Sequence, residues 1–220
     1  PLQITKKWFN FSLIKKYEHK DSIEIYHPRF FLSPKIGMRW YGSFMALGTL
    51  PLVQHLHKKH SFDAIDAHYL YPDGFAASLI AKKINRPFML TGRGTDINVF
   101  TTFPPMKRRI ISACHHAHTI VTVSQSLKDI LTHIGISSQK IEVITNGVNK
   151  NIFKPSSGSL SKKDLPIPHN RPLLLSVGNL YKSKGFHLLI QSLHEMKSKN
   201  ALNPLPFLAI IGRGDYEKKL

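Results

Sequence analysis

A loop rich in glycine and lysine, residues 178–185, carries the residue types that bind phosphate groups. It follows the apolar run 173–177, which predicts a buried strand, and it precedes an apolar stripe of helical period. Gly178 would let the backbone approach a phosphate, and the helix N-terminus would offer unpaired N–H groups to an anion. Lys184 lies where that helix begins, and a cation there is unfavourable unless an anion neutralises it. The loop predicts an anion site, although an ordinary strand-to-helix turn with a solvated lysine would show the same pattern.

A second apolar run, residues 207–211, follows the helix and leads into Gly212 and Gly214. Strand, helix and strand within about forty residues predict a βαβ unit, because parallel strands need a crossover of this kind. Ligands of open α/β sheets bind beyond the carboxyl ends of the strands, which is where both glycine-containing loops fall. The 178–185 loop contains neither a dinucleotide-binding Gly-x-Gly-x-x-Gly pattern nor a P-loop.

Two further polar loops, residues 68–74 and 92–98, follow predicted strands over residues 62–67 and 88–91. Parallel strands end at one edge of a sheet, so we expect the two loops together at a ligand-binding edge. Turn chemistry is the alternative, because Pro-Asp-Gly is a good turn sequence and Asp96 could cap a helix. The candidate binding residues in these loops are His68, Asp73, Gly74, Arg93 and Asp96.

The formal net charge of +18 predicts attraction to a polyanion: a nucleotide diphosphate, an anionic membrane surface or nucleic acid. The basic residues are spread along the chain, which favours a broadly positive surface over a dedicated nucleic-acid helix. Cys114 is the only cysteine, so no intrachain disulfide can form and a reducing compartment is favoured. No apolar run has the length of a membrane span. The expected location is the cytoplasm, and the charge leaves open a peripheral position at the inner face of a membrane.

Histidines cluster at residues 55–60 and 115–118, which raises the question of a metal site. The first cluster has no carboxylate or cysteine beside it, and the second is placed to finish a helix. We therefore predict neither a metal nor a bound cofactor.

The segment SVGNLYKSKGFHLLIQSL, followed by LAIIGRGDYEKKL, resembles the start of the donor-binding domain of family 4 glycosyltransferases. These are retaining enzymes of the GT-B fold, which has two Rossmann-like domains. The family pattern is Val-Gly-Arg-Leu, three residues and Lys-Gly, in which the Arg and Lys hold the donor diphosphate. Lys184 matches the Lys, whereas Asn179 stands where Arg is most usual.

The first half of the chain resembles the other domain of the same family. His68, Asp73 and Gly74 match a His-x-x-x-Pro-Asp-Gly segment, and Asp96 matches the end of a Thr-x-His-Gly-x-Asp segment. Arg93 takes the place of its His, as in one branch that reads Arg-Gly-Thr-Asp. Residues 146–149 read Asn-Gly-Val-Asn and are similar to an Asn-Gly-Val-Asp segment that closes this domain.

The resemblance implies transfer of a hexose from a nucleotide-sugar donor to the hydroxyl of a sugar or lipid-linked acceptor, with retention at the anomeric carbon. It implies Lys184 and Arg93 as the catalytic cations and no specific nucleic-acid partner. The donor-binding residues would be Gly178, Asn179, Lys184, Gly185, Gly212 and Gly214. The acceptor-side residues would be His68, Asp73, Gly74, Asp96 and Asn146.

The expected fold class is α/β, with two incomplete parallel-sheet domains. The expected organisation is an N-terminal acceptor-side domain over residues 1–155, a linker over residues 156–170 and a truncated nucleotide-sugar domain over residues 171–220. The family's first strand would precede residue 1, and its pair of donor-binding glutamates, separated by seven residues, is not found in the chain. We therefore expect the 220-residue chain to be inactive alone.

Two other classes of function compete with the transferase. One is a non-catalytic module that binds a nucleotide or a sugar phosphate without turning it over. The other is a basic nucleic-acid-binding protein, whose affinity would fall steeply with salt and ignore nucleotide sugars. The chain has no recognisable nucleic-acid-binding motif, which places the second alternative last.

Overall fold

The computed structural model describes residues 11, 13–32, 37–155 and 165–220, which form two compact units. Unit 1 is Pro1–Gly147 and unit 2 is Val148–Leu220. Residues 156–164 of the predicted linker lie outside the described residues. No helix in the described part of the chain is long and apolar enough to cross a membrane.

In the described part of unit 1, the first strands along the chain form an antiparallel hairpin of β1 (Tyr17–Lys20) and β2 (Ile23–Tyr26). The two residues between the strands, Asp21 and Ser22, have φ of 49° and 66°. Positive φ at both central positions is the requirement of the tight hairpin turn that matches strand twist. The residue types at 23–26 predict a strand, whereas Tyr-Glu-His-Lys in β1 lacks an apolar alternation and predicts none.

A single long helix, α1 (Tyr41–His60), follows a 3-10 turn at Met38–Trp40. The sequence predicts a helix interrupted near Gly48 and Pro51, and this prediction is wrong, since α1 runs through both residues. Gly48 serves close packing instead, because a Cβ there would lie 2.6 Å from the Arg29 carbonyl oxygen. Packing of α1 along the next helix outweighs the missing N–H of Pro51.

A four-stranded parallel sheet in the order β3-β4-β5-β6 forms the centre of unit 1. Its strands are β3 (Ile65–His68), β4 (Phe88–Gly92), β5 (Thr119–Thr122) and β6 (Ile141–Val143). The helices that connect them are α2 (Phe75–Ile84), α3 (Thr95–Asn98), α4 (Pro104–His116) and α5 (Gln125–His133). Leu90 pairs with Ala67 on one side and with Ile120 on the other. The predicted α/β class with parallel strands is confirmed.

The hydrophobic core of the described chain lies in unit 1, between the sheet and its helices. Leu90, Ile110, Ile120 and Leu131 are 0% exposed, which is what the short apolar strand runs and the helical stripes predict. Ser124 caps α5 by accepting a hydrogen bond from the backbone N–H of Leu127 at 3.4 Å. The core therefore fixes the positions of the strand ends, where the candidate site lies.

Unit 2 is a parallel pair of strands with one crossover helix. Its strands are β7 (Leu173–Val177) and β8 (Phe207–Ile211), at the predicted bounds, and its helix is α6 (Phe186–Ser198). A 3-10 turn, Lys182–Lys184, precedes α6. Leu180 and Phe186, each 5% exposed, are buried here, so this unit has a much smaller core than unit 1.

Candidate functional site

The Asp96 carboxylate joins two loops at the carboxyl edge of the unit 1 sheet. It is 0% exposed, and its Oδ2 accepts a hydrogen bond from the backbone N–H of Leu70 at 2.8 Å. Its Oδ1 accepts from the N–H groups of Arg93 at 3.1 Å and Gly94 at 2.8 Å. The carboxylate thus accepts charge-assisted hydrogen bonds from backbone N–H groups of both loops and holds the loops together. Asp96, predicted on the acceptor side, is a positioning residue that lies inside the unit.

Arg93 and Asn146 meet at the same edge. Nη1 of Arg93 donates a hydrogen bond to Oδ1 of Asn146 at 3.0 Å, and both residues are exposed. The contact links the loops that follow β4 and β6, which are separated in the sheet by β5. A guanidinium has five N–H donors, so this one bond leaves others able to reach an anion or a sugar hydroxyl.

His68 and Asp73 line a cavity of about 470 Å³ beside β3, the edge strand of the sheet. The ring Nε2 of His68 lies 3.1 Å from Oδ2 of Asp66, which orients the imidazole. Burial raises the pKa of the Asp73 carboxyl, a hydrogen bond from its own backbone lowers it, and the nearby Asp96 charge raises it. The rest of the lining is mostly apolar, from α1, α2 and β3.

Gly74 has a packing role behind this loop. It is buried, and a Cβ there would lie 2.7 Å from Cδ2 of Leu90 and 3.1 Å from the Tyr69 carbonyl oxygen. Glycine is therefore needed to bring the loop onto the core. It supports the loop that carries His68 and Asp73 without presenting a functional group of its own.

Side chains from distant parts of the chain hold the 68–74 loop and Phe75, the first residue of α2. The Arg109 guanidinium on α4 lies 5.3 Å from the Trp40 ring centre and 5.6 Å from that of Phe75. The Tyr71 hydroxyl donates a hydrogen bond to the carbonyl of Met38. These contacts bring together residues far apart in the chain, so no local pattern could have indicated them.

In unit 2, four of the predicted donor-binding residues meet around one cavity of about 540 Å³. They are Gly178, Asn179, Lys184 and Gly212. The cavity lies at the carboxyl ends of β7 and β8, and Ser176 and Phe186 also line it. The spacing predicts Gly178 and Lys184 in one loop, and the structure brings Gly212, from the second glycine-containing loop, beside them.

Gly212 and Gly214 let the two loops of unit 2 run side by side. A Cβ at Gly212 would overlap the Gly178 carbonyl, and one at Gly214 would overlap the Leu180 carbonyl. The loops are held by a hydrogen bond from the N–H of Leu180 to the Arg213 carbonyl at 3.0 Å. The role of Gly214 is therefore this close approach, whereas Gly212 also borders the cavity.

Gly185 forms the N-cap of α6 with φ of 74°, a left-handed conformation that favours glycine. No side chain of the described chain caps this end, and the first turn of α6 has no acidic residue. The N–H of Leu188 donates a hydrogen bond to the Gly185 carbonyl at 2.9 Å, which leaves the N–H groups of the first two residues of α6 and the helix dipole available to an anion beside the exposed Lys184. The arrangement can bind a phosphate group by backbone and side chain together.

No group of three or more histidine, cysteine or carboxylate residues within the described ranges could hold a metal ion. The exposed His115 and His116 finish α4, where Nδ1 of His116 lies 2.7 Å from the Ser112 carbonyl oxygen. Cys114 is 0% exposed, and burial raises the pKa of its thiol to about 12. A thiol in this environment is not a nucleophile at neutral pH.

Comparison with known proteins gives matches over both units. Residues 15–151 match the model of Glycosyltransferase Family 4, and residues 157–220 match that of Glycosyl transferases group 1. The chain is 23% identical over 228 residues to a glycosyltransferase named for teichuronic acid biosynthesis, TuaC of Bacillus subtilis strain 168. That alignment covers 100% of this chain and 55% of the relative. An uncharacterized glycosyltransferase of Methanocaldococcus jannaschii, MJ1178, is 23% identical, over 83% of this chain and 46% of its own length.

Among solved structures, Anabaena HepE in complex with UDP superposes with a TM-score of 0.63 at 22% identity, over 79% of this chain and 47% of that chain. The complex of HepE with UDP and glucose gives a TM-score of 0.59. The chain spans about half the length of the relatives it matches. The family 4 model covers most of unit 1, and the parallel sheets of both units are those of the GT-B fold. This chain therefore belongs to glycosyltransferase family 4.

Proposed function

We propose that this chain is part of a retaining hexosyltransferase that moves a sugar from a nucleotide-sugar donor to an acceptor hydroxyl. The observation that carries the proposal is the cavity of unit 2. Lys184, Gly178 and the N-terminus of α6 converge there on one volume of about 540 Å³. That combination suits a diphosphate group better than a neutral ligand.

On the donor side, the chemical task is to stabilise the diphosphate as it leaves the anomeric carbon. Lys184 supplies a full charge and the α6 N-terminus supplies oriented N–H groups, so negative charge can develop there without a metal ion. Asn179, which lines the cavity, can donate a hydrogen bond in place of the family's Arg. Solved structures of HepE contain UDP and UDP-glucose, which supports a uridine nucleotide sugar as the first donor to test.

On the acceptor side, we propose that His68, Asp73, Arg93 and Asn146 bind a sugar or lipid-linked acceptor. All four lie at or beside the carboxyl edge of the unit 1 sheet. Their side chains combine donors and acceptors, as recognition of sugar hydroxyls requires. Arg93, the cation of this edge with a defined partner, is the second proposed catalytic charge.

The first experiment is titration of the 220-residue chain with UDP-glucose, GDP-mannose and free UDP, with the Lys184→Ala variant as the matched comparison. We expect wild-type binding of a nucleotide sugar and at least about tenfold weaker binding by the variant, the scale of losing one charged hydrogen bond. We also expect no sugar transfer by this chain, because it has no two glutamates separated by seven residues to contact the donor.

The second experiment separates the transferase from a non-catalytic binding module. The complete enzyme, incubated with the donor that binds and with oligosaccharide acceptors, should release the nucleotide and form a product whose anomeric configuration, read by NMR, equals that of the donor. Binding without release of nucleotide from any donor tested would instead support the binding module. An inverted product would contradict the retaining mechanism.

A further inference from the structure

The edge of the unit 1 sheet opposite the candidate site is strongly basic. Helices α1, α2, α4 and α5 each end shortly before a strand of the same parallel sheet, so their C-termini lie together at the amino edge of the strands. We call this surface the basic edge. Its lysines and arginine, from helix ends and connections, are Lys58, Lys59, Lys82, Lys83, Arg86 and Lys140.

Histidines add to the same surface. The last turns of the helices and the short connections after them contain His57, His60, His115, His116, His118 and His133. Asp63, in the connection before β3, is the carboxylate found among these helix ends and connections, and the exposed Asp66 and Glu142 follow as the second residues of β3 and β6. Among the described residues, no ion pair includes a lysine, arginine or histidine of this edge.

Stabilisation of helix C-termini is the simplest explanation for such cations, because the helix dipole favours them there. The same dipole favours carboxylates in the first turn, yet α1, α2, α4 and α5 have no acidic residue in theirs. These four helices thus carry positive charge at their C-terminal ends without acidic residues in their first turns. Arg86 and Lys140 also lie outside the α-helices, although both donate hydrogen bonds to carbonyl groups.

We propose that the basic edge rests on the surface of an anionic lipid bilayer. Lys58, Lys59, Lys82 and Lys83 are exposed, and α1 packs along α2, so the two lysine pairs end neighbouring helices at the same edge of the sheet. Lysines are point charges that suit a laterally averaged negative surface, whereas bidentate recognition of single phosphates favours arginine.

A nucleic acid fits this edge less well. Single-stranded nucleic acids are bound by aromatic side chains that stack on bases, in addition to basic residues. The aromatic residue of the basic edge, Phe62, is half-buried, and its ring is stacked with that of His60 at 6.5 Å. The charge is therefore presented without a stacking platform. The inference does not depend on sugar transfer, because it concerns the edge away from the candidate site.

The test is sedimentation of the full 220-residue chain with vesicles of phosphatidylcholine, with and without phosphatidylglycerol. The edge variant replaces four exposed lysines by glutamine: Lys58→Gln, Lys59→Gln, Lys82→Gln and Lys83→Gln. The matched control removes the same charge from exposed lysines elsewhere: Lys15→Gln, Lys16→Gln, Lys150→Gln and Lys154→Gln. Circular dichroism spectra would show that both variants remain folded.

We expect the wild type and the control to bind the anionic vesicles and not the neutral ones. Each lysine near an anionic surface contributes about a fivefold factor, so the edge variant should bind at least about tenfold more weakly. Two double variants, one at each helix end, should each lose part of this affinity. Equal losses in the edge variant and the control would overturn the proposal, since net charge alone would then explain binding. Tighter binding to single-stranded DNA than to anionic vesicles would overturn it in favour of a nucleic acid.

Discussion

Arg93 and Asn146 are 53 residues apart, and their side chains are joined by a hydrogen bond of 3.0 Å. The bond passes from the loop after β4 to the loop after β6, across the end of β5. Each side chain thereby limits the freedom of the other at the carboxyl edge. A cation held in this way loses little conformational entropy when a ligand arrives.

We expect Arg93 and Asn146 both to contribute to activity. In the complete enzyme, Arg93→Ala should lower kcat/KM by about ten- to a hundredfold, the range expected for losing a hydrogen bond from a charged group. Asn146→Ala should have a smaller effect, because it frees the guanidinium without removing it. The matched control is Arg108→Ala, which removes an exposed cation of α4. An Arg93→Ala enzyme with the kcat/KM of the wild type would contradict the role.

Lys184 is expected to act on the leaving diphosphate. Lys184→Ala should slow turnover of the complete enzyme by about a hundredfold or more, the scale of removing one preorganised donor of charge. Lys184→Arg should not restore the rate, because a planar guanidinium presents its charge differently. Lys182→Ala is the control, since Lys182 belongs to the same 3-10 turn but does not line the cavity. Steady-state kinetics would decide, and normal turnover of Lys184→Ala would remove the residue from the mechanism.

Asp96 should matter for stability. Asp96→Asn replaces a carboxylate oxygen by an NH₂ group that faces backbone N–H donors, so hydrogen bonds of a charged acceptor are lost in the interior. We expect the free energy of unfolding to fall by about 2–3 kcal/mol, measured by urea denaturation. Asp129→Asn, at an exposed position on α5, should change it by less than about 0.5 kcal/mol. Equal midpoints for Asp96→Asn and the wild type would contradict the positioning role.

The raised pKa of the half-buried Asp73 carboxyl predicts that the stability of the fold depends on pH. Its pKa in the folded chain is raised above the ordinary value of 3.8, chiefly by burial. The folded chain therefore holds this proton to a higher pH than the unfolded chain does. The stabilising contribution is complete below the unfolded pKa and is lost as pH rises through the folded pKa.

Asp73→Asn cannot ionise, so its free energy of unfolding should rise relative to that of the wild type as pH increases above 3.8. Urea unfolding of both proteins over a pH series from about 3 to 7 measures this difference, because the ordinary pKa of an aspartate falls within that range. A difference that stays constant over the series, or that falls with pH, would show that burial does not raise this pKa.

We expect the transferase activity of the complete enzyme to be independent of metal ions. EDTA should leave the transferase activity of the complete enzyme unchanged, and so should His115→Ala and His116→Ala, because the proposed charge stabilisation comes from Lys184 and the α6 N-terminus. Nucleotide release in the presence and absence of the chelator measures this. Loss of activity with EDTA, restored by adding a divalent cation, would show a metal requirement.

The parallel α/β class and the strands of both units could be predicted from short apolar runs and turn residues, since these signals are local. The bounds of β7 and β8 agree with the prediction, and those of the unit 1 strands differ by a few residues. The hairpin strand β1 and the unbroken α1 could not be predicted, because pairing and packing with distant residues stabilise them.

The amino-acid sequence by itself determined which loops carry polar and glycine residues, and the order of strands placed those loops at one edge. It also determined the basic character of the chain and placed Lys184 beside Gly185 at a helix start. Only the tertiary structure decided that Asp96 lies inside, holding two loops, and that Gly212 borders the same cavity as Lys184. The physical reason is that side-chain chemistry and turn preference are local properties. Burial and hydrogen-bond partners, in contrast, depend on which distant segments the sheet brings within a few ångströms.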